Sequence, residues 1–96
     1  MYEAGADVVL NGHSHNYERF ALQNPTAVAD SGGIREFVVG TGGASLDALG
    51  TRRANSEVFL NSAFGVLKLT LRPLAYDWQL VTESSSSADS GGTACH

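Results

Sequence analysis

From Phe64 to Leu71 the side chains alternate in character, and Tyr76 to Leu80 take the alternation up again, the pattern of two strands. Leu67, Leu69 and Leu71 share one face, while Val66, Lys68 and Thr70 share the other. Arg72-Pro73-Leu74-Ala75 turns the chain, and Tyr76, Trp78 and Leu80 then alternate against Asp77 and Gln79. The pattern predicts an antiparallel hairpin over 64–82, fitted to the edge of a sheet. Its apolar face and open edges need cover, so 1–96 alone is expected to aggregate or pack loosely.

The rest of the chain is punctuated more irregularly. Asp7-Val8-Val9-Leu10 is a short apolar run of β-branched type, suited to a strand buried on both faces in a layered α/β architecture. It stops at Asn11-Gly12. Arg35-Glu36-Phe37-Val38-Val39 is a second strand, stopped by Gly40-Thr41-Gly42-Gly43. Residues 13–33 are expected to be mostly loop, broken by Pro25, Asp30, Ser31, Gly32 and Gly33. Residues 44–62 show no clean period and are expected to be an irregular excursion. Met1-Tyr2-Glu3-Ala4 resembles the last turn of a helix with Gly5 as its left-handed stop. A single turn does not nucleate a helix, so the chain is expected to begin inside an element. From Glu83 onward the sequence is rich in Ser and Gly, and 84–96 is expected to be a mobile tail.

Ninety-six residues make one domain at most. A chain of this size buries roughly 60–70% of the surface its unfolded form exposes, so independent folding has little margin. With 43% hydrophobic and 17% charged residues the composition is that of a globular protein. Ten acidic against six basic residues give a net charge of −4, with no basic stripe of the kind a nucleic-acid partner needs. No apolar run approaches the ~18–20 residues that span a bilayer, so no membrane partner is expected. Met1 to Gly5 has neither the basic nor the apolar region of a leader peptide. The single Cys95 excludes an internal disulfide. Two fates stay open for it: a free thiol on a frayed end, or a bridge to a cysteine outside the chain.

Chemistry concentrates in Gly12-His13-Ser14-His15. On an extended backbone, histidines at i and i+2 point to one side, roughly 6.5–7 Å apart from a ~3.3 Å rise per residue. That spacing suits one ring on each of two ions held ~3.5–4 Å apart, as in two-metal hydrolases. The preceding strand would deliver both rings at its carboxyl end, where α/β folds gather ligands. Gly12 leaves the metal side of the turn open. Taken alone, His-x-His is equally compatible with two surface histidines.

The longer segment Asp7-Val8-Val9-Leu10-Asn11-Gly12-His13-Ser14-His15-Asn16-Tyr17-Glu18-Arg19-Phe20 closely resembles the final metal motif of calcineurin-like metallophosphoesterases. Gly-His-x-His followed by Tyr-Glu-Arg is the variety of the purple acid phosphatases. Residues 35–43, 64–71 and Tyr76-Asp77-Trp78 also resemble the end of that catalytic domain, so the likeness extends to about Glu83. It implies the carboxy-terminal part of a four-layer α/β/β/α sandwich, over 1–83, supplying mostly strands and loops. It further implies phosphoester hydrolysis by metal-activated water at a centre of two ions (Fe, Zn or Mn), His13 on one and His15 on the other. Ser14 falls at a variable position and is not a nucleophile. Two roles are open to Tyr17, Glu18 and Arg19. They form an ion pair and aromatic plug that fix the loop, or Arg19 clamps the substrate phosphate, since a guanidinium matches phosphate oxygens.

Gly40-Thr41-Gly42-Gly43 could cradle a phosphate, but it lacks the Lys-Ser/Thr of a P-loop, and a structural turn is the default. The other motifs of the family, including the carboxylate that bridges the metals, do not occur in this sequence. A missing amino-terminal segment of the same domain is therefore the expected partner, besides a phosphoester substrate. Secretion is implied by the resemblance alone. The rival expectation is a non-catalytic fragment or small β-rich interaction module with vestigial histidines.

Overall fold

The computed structural model describes residues 2–46, 53–84 and 87–96. Met1, residues 47–52 of the expected excursion and Ser85-Ser86 of the expected tail lie outside them. In chain order the strands are β1 (Val8–Asn11), β2 (Tyr17–Phe20), β3 (Arg35–Val39), β4 (Ser56–Leu60), β5 (Gly65–Arg72), β6 (Ala75–Thr82) and β7 (Ser87–Ala94). They form two sheets, ordered β1-β3-β2-β4 and β5-β6-β7. Only β1 and β3 run parallel; every other pairing is antiparallel. The chain is strands and loops throughout its described residues, as expected for the β layers of the larger sandwich.

The hairpin follows the alternation of its sequence. β5 and β6 pair from Gly65↔Thr82 to Arg72↔Ala75, leaving Pro73-Leu74 as the turn. Inward-facing Tyr76, Trp78 and Leu80 are buried, and they meet Tyr17 and Phe37 of the other sheet. Phe37 and Trp78 lie edge to face, ring centroids 5.5 Å apart. Val8, Val39, Val58, Leu60, Leu67 and Leu69 pack around this cluster. Each large side chain buried there contributes roughly 1.5–3 kcal/mol.

Several expectations need correction. β1 is not buried on both faces: Val8 and Val9 are half-buried, and Leu10 is 53% exposed. Among the described residues it has β3 as a neighbour on one side only, so it forms the sheet's edge. β2 lies within the expected loop 13–33, and β4 within the expected excursion 44–62. Runs of four and five residues are too short to declare a period of two. Tyr2–Gly5 is a turn, closed by Gly5 N–H on Tyr2 O at 3.1 Å, with Gly5 at φ 79°. The expected left-handed stop is present without a helix before it.

The Ser/Gly-rich tail is the largest correction. Ser87–Ala94 forms β7 and pairs along β6. Backbone pairing needs no apolar side chain, and the inward positions Asp89, Gly91 and Thr93 are matched to polar or aromatic groups. Asp89 bonds Tyr17 and Arg19, and the Thr93 hydroxyl accepts from Arg35 at 3.5 Å. Gly91 lies opposite Trp78 in register, and a Cβ there would come within 2.5 Å of the indole. A bare glycine beneath a cross-strand aromatic is a recognised way to hold a strand.

Candidate metal-ligating loop and its support

β1 ends at Asn11, level with Val38 of β3, and the chain then folds back on itself twice. Ser14 N–H donates to Gly12 O and Asn16 N–H to Ser14 O, both at 2.9 Å. These are three-residue turns. His13, at the centre of the first, has φ 75°, the value of the rarer, strained γ-turn. The expected extended backbone with both rings on one side is therefore replaced by two tight bends. Competition for space is the reason, because the loop must clear the end of β3. A Cβ on Gly40 would lie 1.9 Å from Ser14 O, and Gly40 N–H donates to Asn16 O at 2.9 Å.

The glycine-rich turn is thus a brace for the histidine loop. Thr41, fully buried, bonds Gly65 O through its hydroxyl, and its own carbonyl accepts from Gly65 N–H, each at 2.9 Å. One turn joins the loop to the first strand of the second sheet. Gly12 carries less weight than expected: a Cβ there would meet only Val39 O, at an ordinary 3.8 Å.

His13 is exposed and His15 half-buried. His15 Nδ1 lies 2.8 Å from Ser45 O. A carbonyl can only accept, so Nδ1 carries the proton in this contact. Metal-binding histidines are oriented in this way by a backbone carbonyl behind the ring. Asn16, the next residue, has its Oδ1 buried without a hydrogen-bond partner. An orphaned acceptor of this kind costs about 1–3 kcal/mol and marks a place where a donor or a cation is wanted. Imidazole nitrogens and an amide oxygen are donor types that a metal ion accepts. No group of three or more His, Cys, Asp or Glu converges here or elsewhere among the described residues. His96 sits at the opposite end of β1, its Nε2 donating to Gly33 O at 2.8 Å and its N–H to Asp7 Oδ1 at 2.8 Å.

Beyond the loop, Tyr17 and Arg19 turn into the space between the sheets. Tyr17 is fully buried, and its hydroxyl donates to Asp89 Oδ2 at 2.6 Å. Burial, then the neighbouring Asp89 carboxylate, push its ionisation far above the ordinary tyrosine value. Arg19 bonds the same carboxylate through Nε at 2.8 Å and Nη2 at 3.3 Å, and its Nη1 pairs with Glu57. Arg35 also reaches Glu57, at 3.0 Å. Both guanidiniums approach the Trp78 ring, Arg19 at 5.1 Å and Arg35 at 4.8 Å, within cation–π range. The fork of Arg19 is thus engaged by two carboxylates, Asp89 and Glu57. Glu57, Asp89 and Thr93 were not singled out from the sequence. The faint signal was the Asp-x-Gly-x-Thr alternation of β7, hidden by its small polar composition.

Two stacked sheets, with a Gly-His-x-His loop at the carboxyl end of a parallel strand, resemble a segment of a purple acid phosphatase. The chain is similar to a solved structure, purple acid phosphatase PPD1, isolated from yellow lupin (Lupinus luteus) seeds. It matches with a TM-score of 0.78 and 26% identity over 92% of this chain. The chain spans 17% of the length of that protein. No protein-family model matches the sequence, and no curated protein does. The resemblance carried by residues 7–20 thus holds in three dimensions.

Proposed function

We propose that this chain is the carboxy-terminal part of a dinuclear-metal phosphoesterase domain and supplies His13 and His15 as ligands, one to each ion. Such a centre, when bound, supplies Lewis acidity toward phosphate oxygens and activation of the attacking water. Neutral imidazole suits Fe, Zn and Mn alike, so the identity of the metals is not set by these ligands. The role of this chain is to present ring nitrogens from a rigid turn. The place of the Gly-His-x-His loop carries the assignment: it stands at the carboxyl end of β1 in a chain that matches a purple acid phosphatase over 92% of its length. Ser14 lies between two braced turns and has no part in the chemistry. Arg19 acts by holding the loop's exit. The remaining ligands and the phosphoester substrate belong to the larger domain.

Zinc titration of the 96-residue chain by calorimetry tests the assignment. Binding should be weak, since settled zinc sites use about three or four protein ligands. Either His13→Ala or His15→Ala should reduce it to background, and Ser14→Ala should leave it unchanged. Zinc binding that survives the double histidine change would remove the metal assignment.

A further inference from the structure

Asp89 stands on the strand expected to be a loose tail, yet both groups it holds belong to the strand that leaves the histidine loop. Its side chain is 9% exposed, and Oδ2 accepts from Tyr17 at 2.6 Å and Arg19 at 2.8 Å. Tyr17 is two residues beyond His15, fully buried and packed on Phe37 at 6.4 Å between ring centroids. Between them, Asn16 gives its N–H to Ser14 O and takes the N–H of Gly40. The path from Asp89 to the histidines is therefore short and made of directional bonds. Beside Asp89 the β6–β7 register shifts between Leu80 and Val81, and a bulge of this sort re-aims a neighbouring side chain.

We propose that Asp89 is a positioning residue for the His13–His15 loop, clamping Tyr17 and Arg19 so that the two tight turns before them keep their shape. The functional part of this rests on the two histidines being metal ligands. A carboxylate suits the position because one charged acceptor satisfies a buried hydroxyl and a guanidinium together. An uncharged replacement leaves Arg19 half-paired and the Tyr17 bond weakened, so the strand can shift by the small distance that misaligns a ring. Groups bonded directly to a ligand change metal affinity by about 10–100-fold, and a clamp acting through the neighbouring strand should change it by less.

The test uses the full 96-residue chain with Asp89→Asn and Tyr17→Phe. Amide hydrogen exchange is followed at Asn16 and Gly40, and across the β5–β6 hairpin as a reference. Clamping predicts exchange at Asn16 and Gly40 faster by about tenfold or more, with the hairpin unchanged, because local opening is separable from global unfolding. Zinc affinity should fall in both variants, and Asp89→Glu should recover part of the protection. Unchanged exchange at the loop, or a rise shared equally with the hairpin, would overturn the proposal. Should Asp89→Asn fail to fold, Tyr17→Phe, which removes a single hydrogen bond, decides by the same comparison. If His15→Ala leaves zinc binding intact, the metal assignment falls, while the exchange data, which involve no metal, still decide the clamp.

Discussion

Gly40 and Tyr17 bracket the candidate site at the scale of single residues. At Gly40 the obstacle to any side chain is a backbone carbonyl, Ser14 O, which cannot swing aside as a flexible side chain would. Gly40→Ala should therefore destabilise the chain by about 3 kcal/mol or more, in the range of severe core lesions. Denaturant unfolding measures this; a loss below about 1 kcal/mol, the typical cost of a point mutation, would show that the loop has room to move. Tyr17 gives a pH signature. Its ionisation is raised in the fold, so the folded state keeps a proton that the unfolded state loses above about pH 10. The stability it confers is complete below that pH and falls as pH rises further. Unfolding free energy should decline by about 1.4 kcal/mol more per pH unit in the parent than in Tyr17→Phe between roughly pH 10 and 11.5. Parallel slopes would mean that Tyr17 ionises freely.

At the scale of elements, β7 separates a loose tail from a bonded strand. Trp78 is the only tryptophan, and it is nearly buried beneath Gly91. Removing residues 87–96 should shift its emission to the red and abolish cooperative melting; an unchanged spectrum would show that the strand is dispensable. The hairpin over 64–82 was legible because Leu67, Leu69, Tyr76, Trp78 and Leu80 write the period of two in apolar side chains. β7 was not, because its inward side chains are Asp89, Gly91 and Thr93, chosen to fit Arg19, Trp78 and Arg35. Those partners come from distant parts of the chain. β2 and β4 were hidden for a related reason, being short and, in β2, bearing Glu18 and Arg19 where an apolar alternation was sought.

At the scale of the whole molecule, edges and charge decide behaviour. β5 is eight residues long and, among the described residues, has a neighbour on one side only. Val66 is 62% and Leu71 73% exposed along it. Long edges of this kind pair with other chains. The 96-residue chain should self-associate in sedimentation experiments, and Val66→Lys should reduce the association; a monomer with a sharp melt would contradict this. Charge limits catalysis. Two unit charges 4 Å apart repel by roughly 4 kcal/mol at an effective dielectric of 20, and divalent ions quadruple that. Two neutral imidazoles offset none of it, so turnover of an aryl phosphate by the chain alone should stay at the free-metal background. Robust turnover lost on either histidine change would show that the chain completes a site by itself.

What the sequence determined by itself was whatever is local. The imidazole donors at His13 and His15 follow from residue identity, the hairpin from periodicity, the stop after β3 from Gly40, and the likeness to purple acid phosphatases from fourteen contiguous residues. Tertiary structure alone decided which strand stands at an edge, how the histidine loop bends and what Arg19 holds. The physical reason is common to all three. Leu10 is exposed because the core that takes in Val8 does not reach the end of β1. His13 takes φ 75° because the loop shares its space with Gly40. Arg19 meets Asp89 because the second sheet folds over the first, bringing together residues 70 positions apart that no local pattern links.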